Sequence, residues 1–278
     1  MTDAPDIRTT CPYCGVGCGV IASRTTDGRL EVKGDPDHPA NFGRLCSKGS
    51  ALAETLDADG RLLHPRLHGR DTNWDEALHA VTSGLRAVID AHGPDAVALY
   101  GSGQLLTEDY YVANKLMKGF IGTANMDTNS RLCMASSVAG HKRAFGSDTV
   151  PGTYEDLEQA DLVVLVGANF AWCHPVLFQR LQAAQAKRGT RIIVIDPRRT
   201  ATAEAADLHL PLRPGSDVAL FNGLLAHLAA VGAEDTGFIA DHVTGLDDAL
   251  ATAQALSIYE VAAATGLDAI TLTRFFDM

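Results

Sequence analysis

No apolar run in the 278-residue chain approaches the roughly 18 residues that a membrane span requires. A basic excess is missing too. The 23 Lys and Arg stand against 34 Asp and Glu, a net charge of −11, which argues against broad binding to nucleic acid or anionic membranes. Residues 1–10 are polar and acidic and hold neither an apolar signal core nor a twin-arginine pair. The expectation is a cytoplasmic protein with no membrane span and no nucleic-acid partner. There is no repeat of fixed period, no low-complexity tract and no GxGxxG fingerprint, and the last absence counts against a nicotinamide or flavin Rossmann site.

What is present is ordinary for a globular chain: 46% hydrophobic and 21% charged residues, which excludes disordered and collagen-like architectures. At about 150 residues per domain the length suggests two domains. Residues 1–64 are rich in Cys, Gly, Pro and Asp, with short apolar runs at 19–22 and 30–33. They read as a small, loop-rich, mostly β unit. From Trp74 the composition changes. Helical spacing of Ala77, Val81, Leu85, Val88 and Ile89 predicts a helix over 75–91, stopped at His92-Gly93-Pro94. A buried strand follows at 96–100, then a helix at 108–120. Asn129 and Ser130 read as the N-cap of a helix over 131–145. Continuous apolar runs at 162–166 and 191–195, a short one at 208–210, and helices at 175–187 and 217–230 give an alternating β/α rhythm. That rhythm predicts a doubly wound parallel α/β (Rossmann-like) sheet. The segment 271–278, ending Phe275-Phe276-Asp277-Met278, reads as an uncapped mid-helix with an exposed Phe pair, the mark of a C-terminally truncated chain.

Six cysteines in a reducing compartment are ligands or nucleophiles rather than disulfides. Four of them, Cys11, Cys14, Cys18 and Cys46, are spaced C-x2-C-x3-C with the fourth 27 residues further on, and Gly15, Gly17 and Gly19 are interleaved. A 4Fe–4S cubane needs four soft thiolates converging on one point, and a glycine-rich loop can place three of them. Structural zinc is the alternative, but it usually takes two paired knuckles, and Cys18 and Cys46 form no second pair. Cys133, within Asn129-Ser-Arg-Leu-Cys-Met134, lies on this reading in the first turn of a helix. The helix's positive end and Arg131 would then favour a thiolate there. Spacing alone leaves it as readily a small buried hydrophobe. Three strand exits carry ligand-binding chemistry: Gly101-Ser102-Gly103-Gln104, Gly167-Ala168-Asn169 and Asp196-Pro197-Arg198. Pro214-Gly215-Ser216-Asp217 opens a further helix with free N–H groups.

Thr10-Cys-Pro-Tyr-Cys-Gly-Val-Gly-Cys18 followed by Gly43-Arg-Leu-Cys-Ser-Lys-Gly49 resembles the N-terminal iron–sulfur domain of the molybdopterin oxidoreductases. These are the bis-molybdopterin-guanine-dinucleotide (bis-MGD, DMSO reductase) enzymes, which include formate dehydrogenases and prokaryotic nitrate reductases. The resemblance runs from Cys11 to the end of the chain. It implies a cubane on Cys11, Cys14, Cys18 and Cys46, with Lys48 relaying electrons toward a pterin. It implies Cys133 as the molybdenum ligand. Gln104 and Asn129 would reach the pterin, and Gly167, Asn169, Asp196, Pro197, Arg198, Gly215, Ser216 and Asp217 the guanine dinucleotide. The domains it suggests are 1–64 for the 4Fe–4S cluster, 65–140 for a first α/β molybdopterin-binding region, and 141–278 for an incomplete second, Rossmann-like MGD-binding domain.

Formate dehydrogenases of this family place a histidine after the ligand cysteine or selenocysteine. Met134 follows here, and Gly167-Ala-Asn-Phe-Ala-Trp-Cys-His-Pro175 resembles the assimilatory nitrate reductases. Cys173 is read as structural. The resemblance therefore implies molybdenum-dependent reduction of nitrate to nitrite by oxygen-atom transfer. Electrons would come from a ferredoxin, a flavodoxin or an NADH-linked reductase subunit. Formate dehydrogenase and a non-catalytic iron–sulfur electron-transfer subunit are the alternatives. Family enzymes are much longer, so the 278 residues alone are not expected to be active.

Overall fold

The computed structural model describes residues 6–278, leaving out the side chain of Arg131. The chain forms two compact units: residues up to Leu56 together with Gly152–Met278, and Asp57–Pro151.

The N-terminal part of the first unit is an antiparallel sheet of β1 (Ile7–Thr10), β2 (Gly19–Arg24) and β3 (Leu30–Gly34), in that order. Thr10 pairs with Gly19. The ladder therefore closes a loop at residues 11–18, and that loop carries the first three cysteines. Gly34 pairs with Val20 and lies against the Gly43 backbone so tightly that a β-carbon would collide with the Gly43 carbonyl. Only glycine permits this approach, which brings the segment leading to Cys46 back beside the sheet. Cys46 is the N-cap of α1 (Ser47–Ser50).

The second unit opens with a small hairpin of β4 (Arg66–Leu67) and β5 (Arg70–Asp71). In α2 (Trp74–His92) the Asn73 side chain accepts from the Glu76 N–H at 2.9 Å, and Gly93 ends the helix at φ 82°. A 3-10 turn at Pro94–Ala96 shortens the expected strand to β6 (Leu99–Gly101). The helix expected over 108–120 is split into α3 (Thr107–Asn114) and wider π turns at Lys115–Ile121. β7 (Met126–Thr128) pairs in parallel with β6 and had no sequence signal of its own. The helix expected over 131–145 is two helices, α4 (Asn129–Cys133) and α5 (Ala135–Phe145), broken where Met134 leaves helical geometry at φ −114°, ψ 22°. The N-cap is Thr128, not Asn129 or Ser130. Nothing in Arg131–Ala135 is a helix breaker by type, so the break is invisible in the residues.

The rest of the first unit begins with α6 (Tyr154–Gln159) and proceeds through β8 (Leu162–Val166), α7 (Phe170–Cys173), α8 (Pro175–Arg188), β9 (Arg191–Ile195), α9 (Ala201–Glu204) and β10 (Leu208–Leu210) to α10 (Asp217–Ala230), α11 (Thr236–His242), α12 (Leu246–Ala253), α13 (Ile258–Thr265) and α14 (Ala269–Asp277). β8, β9 and β10 form a parallel sheet with β9 between the other two. Residues of β9 alternate between two cores. Ile192 and Val194 join Val163, Leu165, Val176 and Leu181 on one face, while Ile193 and Ile195 join Leu208, Leu210, Leu220, Val261 and Leu272 on the other. All four are at most 1% exposed. At about 1.5–3 kcal/mol for each buried aliphatic side chain, β9 is the anchor of the unit. Helices thus cover both faces, as the βα rhythm predicts. Val164 and Val166 of β8 are exposed rather than buried as a continuous apolar strand suggests, because the second core covers that face of β9 and β10 and does not include these two residues. The terminal Phe pair is also corrected. Asp268 caps α14 by accepting from the Thr271 N–H, and both Phe275 and Phe276 are buried in the second core.

Candidate functional site

Cys11, Cys14, Cys18 and Cys46 line one cavity, with Val16, Leu45, Pro175 and Val176 among its walls. The strand ladder supplies two of them. Cys11 and Cys18 flank the paired Thr10 and Gly19, and the Cys11 N–H donates to the Cys18 carbonyl at 2.8 Å. Gly17, at φ 69°, turns the chain between Cys14 and Cys18. Its N–H donates to the Cys14 carbonyl at 3.3 Å. Cys46 arrives from the N-cap of α1. All four are free thiols.

The site fits a cube better than a single ion. Tetrahedral zinc, with Zn–S near 2.3 Å, would draw thiolate sulfurs to within about 4 Å of one another. Among the described residues no three Cys, His, Asp or Glu side chains are grouped closely enough to hold one ion, yet four thiols share one apolar cavity. Burial, and then the neighbouring Cys14, Cys11 and Cys46, push the Cys18 thiol up from 9.0 to about 11. Four thiolates cannot share such a pocket without compensating positive charge, which a bound metal centre supplies whether it is zinc or an iron–sulfur cluster.

Three residues that sequence reasoning did not single out hold this loop. Asn41, fully buried, accepts from the Gly19 N–H at 2.8 Å and donates to the carbonyls of Gly19 (3.0 Å) and Arg44 (2.9 Å). It staples the start of β2 to the approach to Cys46. Arg180, on α8, has a side chain with no exposure. It pairs with Glu158 at 2.7 Å and Glu155 at 3.5 Å, donates to the carbonyls of Pro39 (2.8 Å) and Ala40 (3.0 Å), and lies 5.2 Å from the Phe42 ring and 5.6 Å from the Tyr154 ring. Tyr154, on α6, shares its single hydroxyl hydrogen between the carbonyls of Val16 (2.9 Å) and Gly15 (3.2 Å). Burial first, and then Cys18 and Cys14, push its phenol up, opposed by Arg180. Apart from the Asn41–Arg44 bond, three residues apart, these partnerships join residues 22 or more apart in sequence, so no local motif announces them.

The remaining expected site residues fall into separate groups. Lys48 lies on α1, exposed, in a surface recess that also includes Tyr13 and Glu54. In the second unit, Gly103 approaches the head of α4. A β-carbon there would lie 2.9 Å from Asn129 Oδ1 and 2.8 Å from Ser130 Oγ. The turn bearing Gln104 and the helix bearing Asn129 and Cys133 thus meet beyond the carboxyl ends of the parallel strands β6 and β7. Cys133 is the last residue of α4, not in a first turn as the sequence suggests, so the positive end of α4 does not lie at its thiol; the side chain of Arg131 lies outside the described residues. The thiol is exposed and is not a core residue, and Met134 beside it is 42% exposed. Cys173, read as structural, is exposed at the end of α7.

The other candidates are brought together at the carboxyl edge of the first unit's parallel sheet. Gly167, at φ 59°, follows β8, and its N–H donates to the Ile195 carbonyl at 2.9 Å. Asn169 Oδ1 accepts from Thr202 Oγ1 at 3.0 Å. Asp196, 8% exposed, accepts from the Arg198 N–H at 2.8 Å, while Pro197 and Arg198 are exposed. Gly215 turns at φ 83° into Ser216, the buried N-cap of α10, and Asp217 is that helix's first residue. These segments follow the carboxyl ends of parallel strands, the part of an open α/β sheet where dinucleotides bind, and they include one carboxylate, Asp196, and one guanidinium, Arg198.

Residues 6–58 match the family model of the molybdopterin oxidoreductase Fe4S4 domain, and residues 61–266 match that of molybdopterin oxidoreductase itself. The chain is 59% identical over 274 residues to a nitrate reductase of Klebsiella oxytoca, covering 98% of this chain and 31% of that protein. It is 45% identical over 225 residues to a periplasmic nitrate reductase of Desulfovibrio desulfuricans, covering 78% of this chain and 30% of that protein. Among solved structures, acetylene hydratase from Pelobacter acetylenicus superposes with a TM-score of 0.83 at 26% identity, covering 97% of this chain and 38% of that one. The chain spans about a third of the length of the curated relatives it matches.

Proposed function

The chain belongs to the molybdopterin oxidoreductase family, with that family's 4Fe–4S and molybdopterin domains, and from that premise we propose that it serves the reduction of nitrate to nitrite in cytoplasmic nitrate assimilation. The observation that carries the reading is the likeness to a nitrate reductase along nearly the whole chain, with Cys133 exposed and followed by Met134 rather than an imidazole. A thioether neither takes nor gives a proton. It suits an oxyanion that loses oxygen and not a substrate that must be deprotonated.

The roles fall on the chain's own residues as follows. Cys11, Cys14, Cys18 and Cys46 would hold the 4Fe–4S cluster in their shared cavity. Lys48, two residues past Cys46, is the exposed cation assigned to electron exchange there. Cys133 would give its thiolate to molybdenum, and Gln104 and Asn129, which meet at Gly103, would orient a pterin. Gly167 and Asn169, the Asp196-Pro197-Arg198 turn, and Gly215-Ser216-Asp217 would receive a guanine dinucleotide through N–H groups, one carboxylate and one guanidinium. When bound, the molybdenum bis-MGD cofactor supplies two-electron oxygen-atom transfer and the cluster supplies single electrons. The electron donor is a one-electron carrier such as ferredoxin or flavodoxin, or an NADH-linked reductase subunit. A reducing compartment would keep all six cysteines out of disulfides and available as ligands.

Because the 278 residues alone are not expected to be active, the test uses cofactor-loaded holoenzyme of full family length that carries these residues, assayed in two directions. Nitrate-dependent oxidation of reduced viologen, with molybdenum bound, is expected. Formate-dependent dye reduction with no response to nitrate would replace nitrate as the substrate. Protein that binds iron but no molybdenum would make the chain an electron-transfer subunit.

A further inference from the structure

We propose that Tyr154 is a positioning residue for the cysteine loop, its hydroxyl fixing the peptides between Cys14 and Cys18 and setting the positive end of an O–H dipole beside the cluster they would hold. The inference rests on the four cysteines being cluster ligands. The loop's own backbone bonds use the carbonyls of Cys14 and Cys18. The carbonyls of Gly15 and Val16 are instead taken by Tyr154 Oη, at 3.2 and 2.9 Å. Val16 is 3% exposed, so water has restricted access to its carbonyl, whereas the exposed Gly15 carbonyl can also meet solvent.

The tyrosine is itself held. Its ring packs in the apolar cluster that contains Val16 and Cys18, and it lies 5.6 Å from the guanidinium of Arg180, whose side chain is wholly buried and tied to Glu158, Pro39 and Ala40. An element 138 residues away in sequence thus sets the conformation of the C-x2-C-x3-C loop. Hydrogen bonds and nearby partial charges tune the potential of an iron–sulfur cluster. The hydroxyl donates to the carbonyls of the two peptides between Cys14 and Cys18 and feels both cysteines electrostatically; its donor hydrogen favours the reduced cluster, which carries one more negative charge.

Tyr154→Phe keeps the ring and removes only the hydroxyl. With the iron–sulfur cluster loaded, this variant is expected to have a lower cluster midpoint potential and a changed EPR line shape in the reduced state. It should also lose iron to a chelator faster, by up to about tenfold, the ratio for one lost part-buried hydrogen bond. Arg180→Lys leaves the hydroxyl in place but loosens the ring, and should shift the potential in the same direction by less. A residue that merely packs would alter the melting of the cluster-free protein and leave the potential and EPR spectrum unchanged; that result overturns the inference. Wild-type protein that takes up no iron would overturn the reading of the four cysteines instead.

Discussion

Asn41 shows how much one side chain can decide near the cysteines. It is fully buried and makes three hydrogen bonds across two segments of backbone. Asn41→Ala strips the Gly19 N–H and the Arg44 carbonyl of this partner in a place closed to water. The expected cost is about 2–3 kcal/mol, read as a lower urea midpoint of the cluster-free protein. Cys18 gives a pH dependence whose sign follows from its environment. Its thiol rises from 9.0 to about 11 on folding, first through burial and then through the neighbouring cysteines. The folded state therefore holds this proton more tightly than the unfolded state. The contribution, about 3 kcal/mol, is fully present below pH 9 and disappears as pH rises toward 11. Cluster-free wild-type protein should lose stability across that window more steeply than Cys18→Ser, measured by denaturant unfolding at each pH. Equal slopes would show that the pocket does not favour the protonated thiol.

At the scale of elements, the arrangement depends on close approaches that side chains would prevent. β3 meets the segment leading to Cys46 at Gly34, where an added β-carbon would strike the Gly43 carbonyl. Backbone cannot swing aside as a side-chain tip can, so Gly34→Ala must displace the segment. The expected result is at least about 2 kcal/mol of destabilisation together with loss of iron uptake; normal iron content in the variant would mean that Cys46 is placed by other contacts. Strands whose apolar runs lie in a parallel sheet were legible from residues alone: 162–166, 191–195 and 208–210 coincide with β8, β9 and β10. Elements decided by neighbours were not. β7 has three residues and exists because β6 lies beside it. The break at Met134 turns the expected helix into α4 and α5 and moves Cys133 from the head of one helix to the tail of another.

The two units differ in how much they bury. The first has two apolar cores on either side of β9. In the second, the buried apolar residues among those described are Val97 and Met117, and neither α2 nor α5 buries any. Segments with few buried apolar contacts open at low free energy. Limited proteolysis should therefore cut first within 57–151 while 152–278 persists as a resistant fragment, identified by mass spectrometry. First cuts within β8–β10 would reverse that ranking.

Chemistry and local rhythm were present in the residues themselves: four cysteines at ligand spacing with glycines between them, the βα alternation, and the turns that follow β8 and β9. Each depends on neighbours a few positions away, so reading along the chain suffices. Which residues hold the cysteine loop in shape was settled only by folding, because Asn41, Tyr154 and Arg180 reach the backbone of Gly19, Val16 and Pro39 across 22 to 141 positions. A buried arginine or a tyrosine hydroxyl looks like any other until burial removes water and leaves one set of protein partners in its place.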